Sequence, residues 1–128
     1  MPKILVAEDE RDIRELIGFT LRFAGFEVVL VSNGAEAVEK VLEEHPDLIM
    51  LDVRMPKMTG YQACRHLKDD PATNKIPVVI LSAKGQETEI EQGLASGADE
   101  YIVKPFAPDE LTNQVKEILH RAGVSVPE

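Results

Sequence analysis

Three carboxylates, a hydroxyl and an ammonium group stand at the ends of short apolar runs in this chain. Asp52 follows Leu48-Ile49-Met50-Leu51, and Glu8-Asp9 follows Ile4-Leu5-Val6-Ala7. Ser82 ends Val78-Val79-Ile80-Leu81, and Lys104-Pro105 ends Tyr101-Ile102-Val103. In an open α/β sheet the carboxyl ends of the strands line the ligand crevice, so these groups are expected to converge at one sheet edge. A nucleotide site there needs a glycine- or hydroxyl-rich turn after the first strand, where backbone N–H groups can close on a phosphate. The turn instead reads Glu8-Asp9-Glu10-Arg11-Asp12. Its acids repel an anion and attract a hard cation, and a few carboxylate oxygens with retained waters suit Mg²⁺. Glu10 and Asp12 are expected only to complement the start of a helix. Glu8, Asp9 and Asp52 form the candidate cation site, and crowding them should raise the pKa of at least one.

The elements that must position these groups follow from the apolar pattern. Short apolar runs alternate with amphipathic segments, the signature of a parallel sheet covered on both faces. A first helix places Ile13, Leu16, Ile17, Thr20 and Leu21 inward and stops at Gly25. A strand spans Phe26 to Val31. Ser32-Asn33-Gly34 opens a second helix with Ala35, Val38, Val41 and Leu42 inward, and His45-Pro46 closes it before a strand from Asp47 to Asp52. A third helix begins near Gly60 and turns Tyr61, Cys64 and Leu67 inward. Asp69 to Lys75 reads as a loop. Residues Gln86 to Ser96 form the weakest helix, with Ile90, Leu94 and Ala95 as its apolar content and Gly93 in its interior. A last helix starts near Pro108 and presents Leu111, Val115, Ile118, Leu119 and Ala122 before Gly123. Five strands and five helices thus alternate in one domain.

Composition narrows the function classes. The chain has 128 residues, 44% of them hydrophobic, and a domain of this size buries roughly two thirds of its unfolded surface. The single cysteine, Cys64, is expected to be a packed thiol. A net charge of −9 without a lysine or arginine cluster would repel phosphate backbones and anionic lipid, so direct nucleic-acid binding is not expected. No apolar run approaches the roughly 18 residues of a membrane span, and an acid arrives too early for a signal peptide. A cytoplasmic location is therefore expected. His45, His66 and His120 have no metal-ligand spacing and read as surface residues.

Lys3 to Glu10, Leu51-Asp52-Val53-Arg54-Met55-Pro56 with Gly60 following, Leu81-Ser82-Ala83, and Gly97 to Phe106 together resemble the receiver domain of bacterial two-component response regulators. The likeness spans essentially the whole chain and extends to the chemotaxis regulator. It implies a flavodoxin-like, doubly wound five-stranded parallel sheet in the order 2-1-3-4-5 flanked by five helices, with the domain at residues 1–123 and a tail or linker start at 124–128. It implies Mg²⁺-dependent capture of a phosphoryl group from a histidine kinase or phosphotransfer protein on Asp52, as nucleophile. Asp9 and Asp52, with the backbone carbonyl of Arg54, would hold the cation, and Glu8 would reach it directly or through water. Lys104 would pair with Asp52 at rest, at about 3 Å, ahead of a cis Lys104-Pro105 bond. Ser82 would bond the phosphoryl group, and Tyr101 would turn inward when Ser82 moves. The output would be a partner protein or attached domain, reached through the face formed by Gln86–Ser96, Tyr101–Lys104 and Pro108–His120.

Several positions depart from the common pattern. Glu8 stands where aspartate is commoner. Arg54 and Lys84, two positions past Asp52 and Ser82, stand where the family controls access of water to the aspartyl phosphate, and are expected to tune dephosphorylation. Ile90 and Gln114 stand where the winged-helix transcription-factor class tends to carry basic residues, so an output domain of that type, with that class's dimer, is not expected. A dehalogenase-type phosphohydrolase would need an aspartate two residues past the nucleophile, where this chain has Arg54. A receiver-like domain that works without phosphorylation would lack an acid, the hydroxyl or the lysine, and none is missing.

Overall fold

The computed structural model describes residues 1–83 and 97–126. Along the chain it has β1 (Lys3–Ala7), α1 (Arg11–Phe23), β2 (Glu27–Val31), α2 (Gly34–Glu44), β3 (Leu48–Asp52), α3 (Gly60–Asp69), β4 (Val78–Ala83), β5 (Glu100–Lys104) and α4 (Pro108–Arg121). The helix expected over Gln86–Ser96, with Ile90 and Gly93, lies outside the described residues, as does Lys84. All strand pairs are parallel, and the order is β2-β1-β3-β4-β5, as the resemblance to receiver domains implies.

The apolar runs are buried on both faces because helices cover both faces of the sheet. Successive side chains of a strand point to opposite sides. Ile4, Val6, Leu48, Met50, Val79 and Leu81 accordingly meet α1 and α4, through Ile17, Leu21, Leu111, Val115 and Leu119. Leu5, Ala7, Ile49, Leu51, Val78 and Ile80 meet α2 and α3, through Ala37, Val41, Ala63, Cys64 and Leu67. Val124 and Val126 pack against the first of these clusters. Cys64 is the buried thiol expected of it.

Three inward assignments are corrected. Leu16 and Leu42 are 49% and 45% exposed, and Ala122 lies at the exposed C-terminal cap of α4. In α1 and α2 the buried stripe is centred instead on Ile17-Gly18-Leu21 and on Gly34-Ala37-Val41. The cause is close approach by small residues. A Cβ on Gly18 would stand 2.9 Å from Leu30 Cδ1, and one on Gly34 would collide with the Met58 carbonyl. Each helix therefore seats on its small residues and turns its neighbouring leucine outward.

The helix ends follow local chemistry. Asn33 Oδ1 accepts a bond from the Glu36 N–H at 2.9 Å, and Thr59 with Gln62 forms a reciprocal capping box. Gly25, at φ +99°, supplies the left-handed turn after α1. Glu10 precedes α1 without a side-chain cap bond.

Candidate functional site

The register of the strands brings the chemical groups together. Ala7 lies beside Leu51 and Asp52 beside Leu81, so Glu8, Asp52 and Ser82 fall at neighbouring strand ends. Ser82 pairs with Val103 and Ala83 with Lys104, which sets the lysine at the same edge. Behind Asp52 the chain must turn sharply into α3, and there only glycine fits. The Gly60 N–H donates to the Val53 carbonyl at 3.0 Å, and a Cβ on Gly60 would collide with the Asp52 carbonyl.

Glu8 and Asp52 are buried, whereas Asp9 is exposed. Each of the three offers a carboxylate oxygen, and these oxygens lie within 4.8 Å of one another. The Lys104 ammonium reaches into the group, donating to Asp52 Oδ1 at 2.8 Å and to Glu8 Oε1 at 3.3 Å. The Lys104-Pro105 peptide is cis. Burial, with the Asp52 carboxylate adding to it, raises the Glu8 carboxyl from an ordinary 4.5 to about 7, against the opposing pull of Lys104. Burial works against the charged form of Lys104, but its bonds to Asp52 and Glu8 and their charges outweigh that, and its pKa is raised.

A cation fits this donor set on an observation independent of likeness. Glu8 Oε2 is buried and has no hydrogen-bond partner among the described residues. A buried carboxylate oxygen left without a partner costs free energy. A hard cation, or a proton on Glu8, would relieve that cost.

The other expected residues lie around the crevice. Ser82 is 1% exposed at the end of β4. Tyr101 is half-buried against the cluster beneath α2 and α3. Arg54 is exposed in the loop after β3, where it lines an open groove with Asp9, Met55, Pro56, Thr59 and Tyr61. Gln114 is exposed on α4, and His45, His66 and His120 are exposed as expected.

The sequence reading missed two residues. Arg14 Nη1 donates to the carbonyl oxygens of Glu8 at 2.9 Å and Asp9 at 3.4 Å. Its signal was a basic residue in the first turns of a helix, against the favoured charge there. Lys68 Nζ donates to the Asn74 and Ile76 carbonyls and to Asp99 Oδ2, and Asp99 Oδ2 also accepts from the Val78 N–H. This bond set ties the loop after α3 to the starts of β4 and β5.

A doubly wound parallel sheet with acids, a hydroxyl and a lysine at its carboxyl edge is the architecture of a receiver module. The chain belongs to the response regulator receiver domain family, whose model matches residues 4–116. It is 43% identical over 126 residues to the phosphate regulon transcriptional regulatory protein PhoB of Rhizobium meliloti, covering 98% of this chain and 56% of that protein. The chain thus spans about half the length of the curated relatives it matches. Its fold matches the signal receiver domain of a signal transduction histidine kinase from Syntrophus aciditrophicus at a TM-score of 0.89 and 37% identity, over 100% of this chain and 96% of that one. It also matches the receiver domain of a sensor histidine kinase from Pseudomonas aeruginosa, which has a magnesium ion coordinated in its active-site cleft, at a TM-score of 0.87 and 29% identity over 93% and 98% of the two chains. Similarity therefore runs both to transcriptional regulators and to kinase-borne receivers. No helix among the described residues is long and apolar enough to cross a membrane.

Proposed function

We propose that this chain is a phosphoacceptor switch. It takes a phosphoryl group from a histidine kinase or histidine phosphotransfer protein onto Asp52, with Mg²⁺ held by Glu8, Asp9, Asp52 and the Arg54 carbonyl. The observation that carries this reading is the 2.8 Å pair of Lys104 and Asp52 inside a cluster that leaves Glu8 Oε2 without a partner among the described residues. When bound, the cation supplies positive charge that offsets the negative charge on the transferring phosphoryl oxygens. An Asp52 carboxylate oxygen forms the new bond to phosphorus as the phosphorus–nitrogen bond of the donor breaks. The electron pair returns to the imidazole, which takes a proton from water.

The resting Lys104–Asp52 pair must then rearrange, because the ammonium gains phosphoryl oxygens as acceptors. Ser82 donates a hydrogen bond to the same group, and such charge-assisted bonds are the strong ones. Tyr101 follows Ser82 inward, and the face containing residues 86–96, Tyr101–Lys104 and α4 carries the change to a partner protein or an attached output domain. Arg54 and Lys84 tune the lifetime of the aspartyl phosphate by controlling the approach of water. On this reading the domain spans residues 1–123, followed by a tail or linker start, and it works in the cytoplasm without touching nucleic acid itself.

Incubation with acetyl phosphate and Mg²⁺ should add one phosphoryl group by mass spectrometry, labile to hydroxylamine. Asp52→Asn should abolish it. Phosphorylation that survives this substitution would place the nucleophile elsewhere.

A further inference from the structure

The backbone at Glu8 and Asp9 is held from both sides by bonds to groups outside the acid cluster. The Glu8 N–H donates to the Val31 carbonyl at 3.1 Å, which continues the β1–β2 pairing one residue past the strand. On the other side, the Glu8 and Asp9 carbonyls accept from the Arg14 guanidinium. Glu10, the N-cap residue of α1, makes no side-chain capping bond. Asp9 is exposed, so its backbone rather than its packing must aim it at Asp52.

A cation in the opening turns of a helix stands against the positive end of the macrodipole. Helix chemistry therefore gives no reason for an arginine there, and Coulomb's law alone makes it a poor neighbour for a site that takes a second cation. The bonds to two successive carbonyls do give a reason, because Nη1 alone reaches both, closely to Glu8 at 2.9 Å and more loosely to Asp9 at 3.4 Å, and so ties the two residues to one charged donor. We propose that Arg14 is a positioning residue of the cation site, fixing the Glu8–Asp9 peptide so that the Asp9 carboxylate faces Asp52. This rests on the cation-site reading above, and it assigns Arg14 no contact with cation or phosphoryl group.

The two ways Arg14 could act predict opposite signs. As a bare charge it disfavours Mg²⁺, and its removal tightens binding. As a positioning residue it favours Mg²⁺, and its removal weakens binding despite the relief of repulsion. Titration of the full chain with MgCl₂ by isothermal calorimetry reads the sign directly. Arg14→Ala should bind Mg²⁺ about tenfold more weakly, the scale of one hydrogen bond from a charged donor. Arg14→Gln, neutral but able to donate, should recover part of the loss, and it serves in place of Arg14→Ala if that variant does not fold. In an Asp9→Asn background the same Arg14 substitution should change Mg²⁺ affinity little, because the carboxylate being aimed is gone. Equal or tighter binding by folded Arg14→Ala, or by folded Arg14→Gln where that stands in, overturns the role of Arg14 while leaving the cation site intact. Wild-type protein that binds no Mg²⁺ overturns the site, and the inference with it.

Discussion

Leu51 and Asp52 are adjacent, nearly equally buried, and opposite in what burial does for them. Leu51 is wholly enclosed among apolar neighbours of the sheet and of α2 and α3. Removing such a side chain from water contributes roughly 1.5–3 kcal/mol. Asp52, one residue on, shares its surroundings with Glu8, Asp9 and the Lys104 ammonium. Two carboxylates about 4 Å apart repel by roughly 4 kcal/mol at an effective dielectric near 20. The strand interior stabilises the fold and its end draws on that stability to hold like charges together. A cation or a phosphoryl group can only bias a conformation it binds differently, and an overcrowded acid site is the part of the molecule with most to gain from a ligand.

The comparison breaks first on the apolar side. Leu51→Ala should lower unfolding stability by about 2–5 kcal/mol, read from urea melts, because a packed sheet covered on both faces collapses little around a cavity. A loss under about 1 kcal/mol would mean that the interior is looser than its burial implies.

The acid side should respond to pH, and with a defined sign. Glu8 titrates near 7 in the folded chain against an ordinary 4.5, so between those values the folded state binds more protons than the unfolded one. Its contribution is fully present below about 4.5 and is lost as pH climbs through 7. The loss is on the order of 3 kcal/mol. Stability of wild type minus that of Glu8→Gln, measured in EDTA, should therefore fall across this window. Saturating Mg²⁺ should reverse the trend, since the cation takes the place of the proton. A difference that stays flat with pH in EDTA would show that neither burial nor the Asp52 carboxylate holds the Glu8 carboxyl above its ordinary value.

The same contrast explains what the sequence disclosed. Strand runs such as Ile4–Ala7 and Leu48–Leu51 were legible because full burial leaves only apolar residues, and the site was legible because polar residues interrupt those runs abruptly at Glu8, Asp52 and Ser82. The Lys104–Asp52 pair was expected from the family likeness, since the two residues are 52 apart in sequence and only the fold makes them neighbours. Arg14 escaped notice because its partners are backbone carbonyls, which carry no residue type. The helix faces were misjudged where small residues decide the packing. Apolar size marks Leu16 and Leu42, but Gly18 and Gly34 make the close approaches.

That correction yields the smallest expected effect and the sharpest check on the packing. Leu42 lies one residue past Val41 on α2, and the two differ in face rather than in kind: Val41 is enclosed and Leu42 is 45% exposed. Glutamine has nearly the helix propensity of leucine, so Leu42→Gln tests burial with little change in the backbone's preference. The substitution should shift stability by no more than about 0.5 kcal/mol, the range of surface positions. Val41→Ala in the same helix removes buried methyl groups and should cost clearly more. Paired urea melts of the two variants measure the difference without reference to any absolute stability. Were Leu42→Gln the more damaging, α2 would be seated on its leucine, and the stripe of Gly34, Ala37 and Val41 would not be the face that meets the sheet.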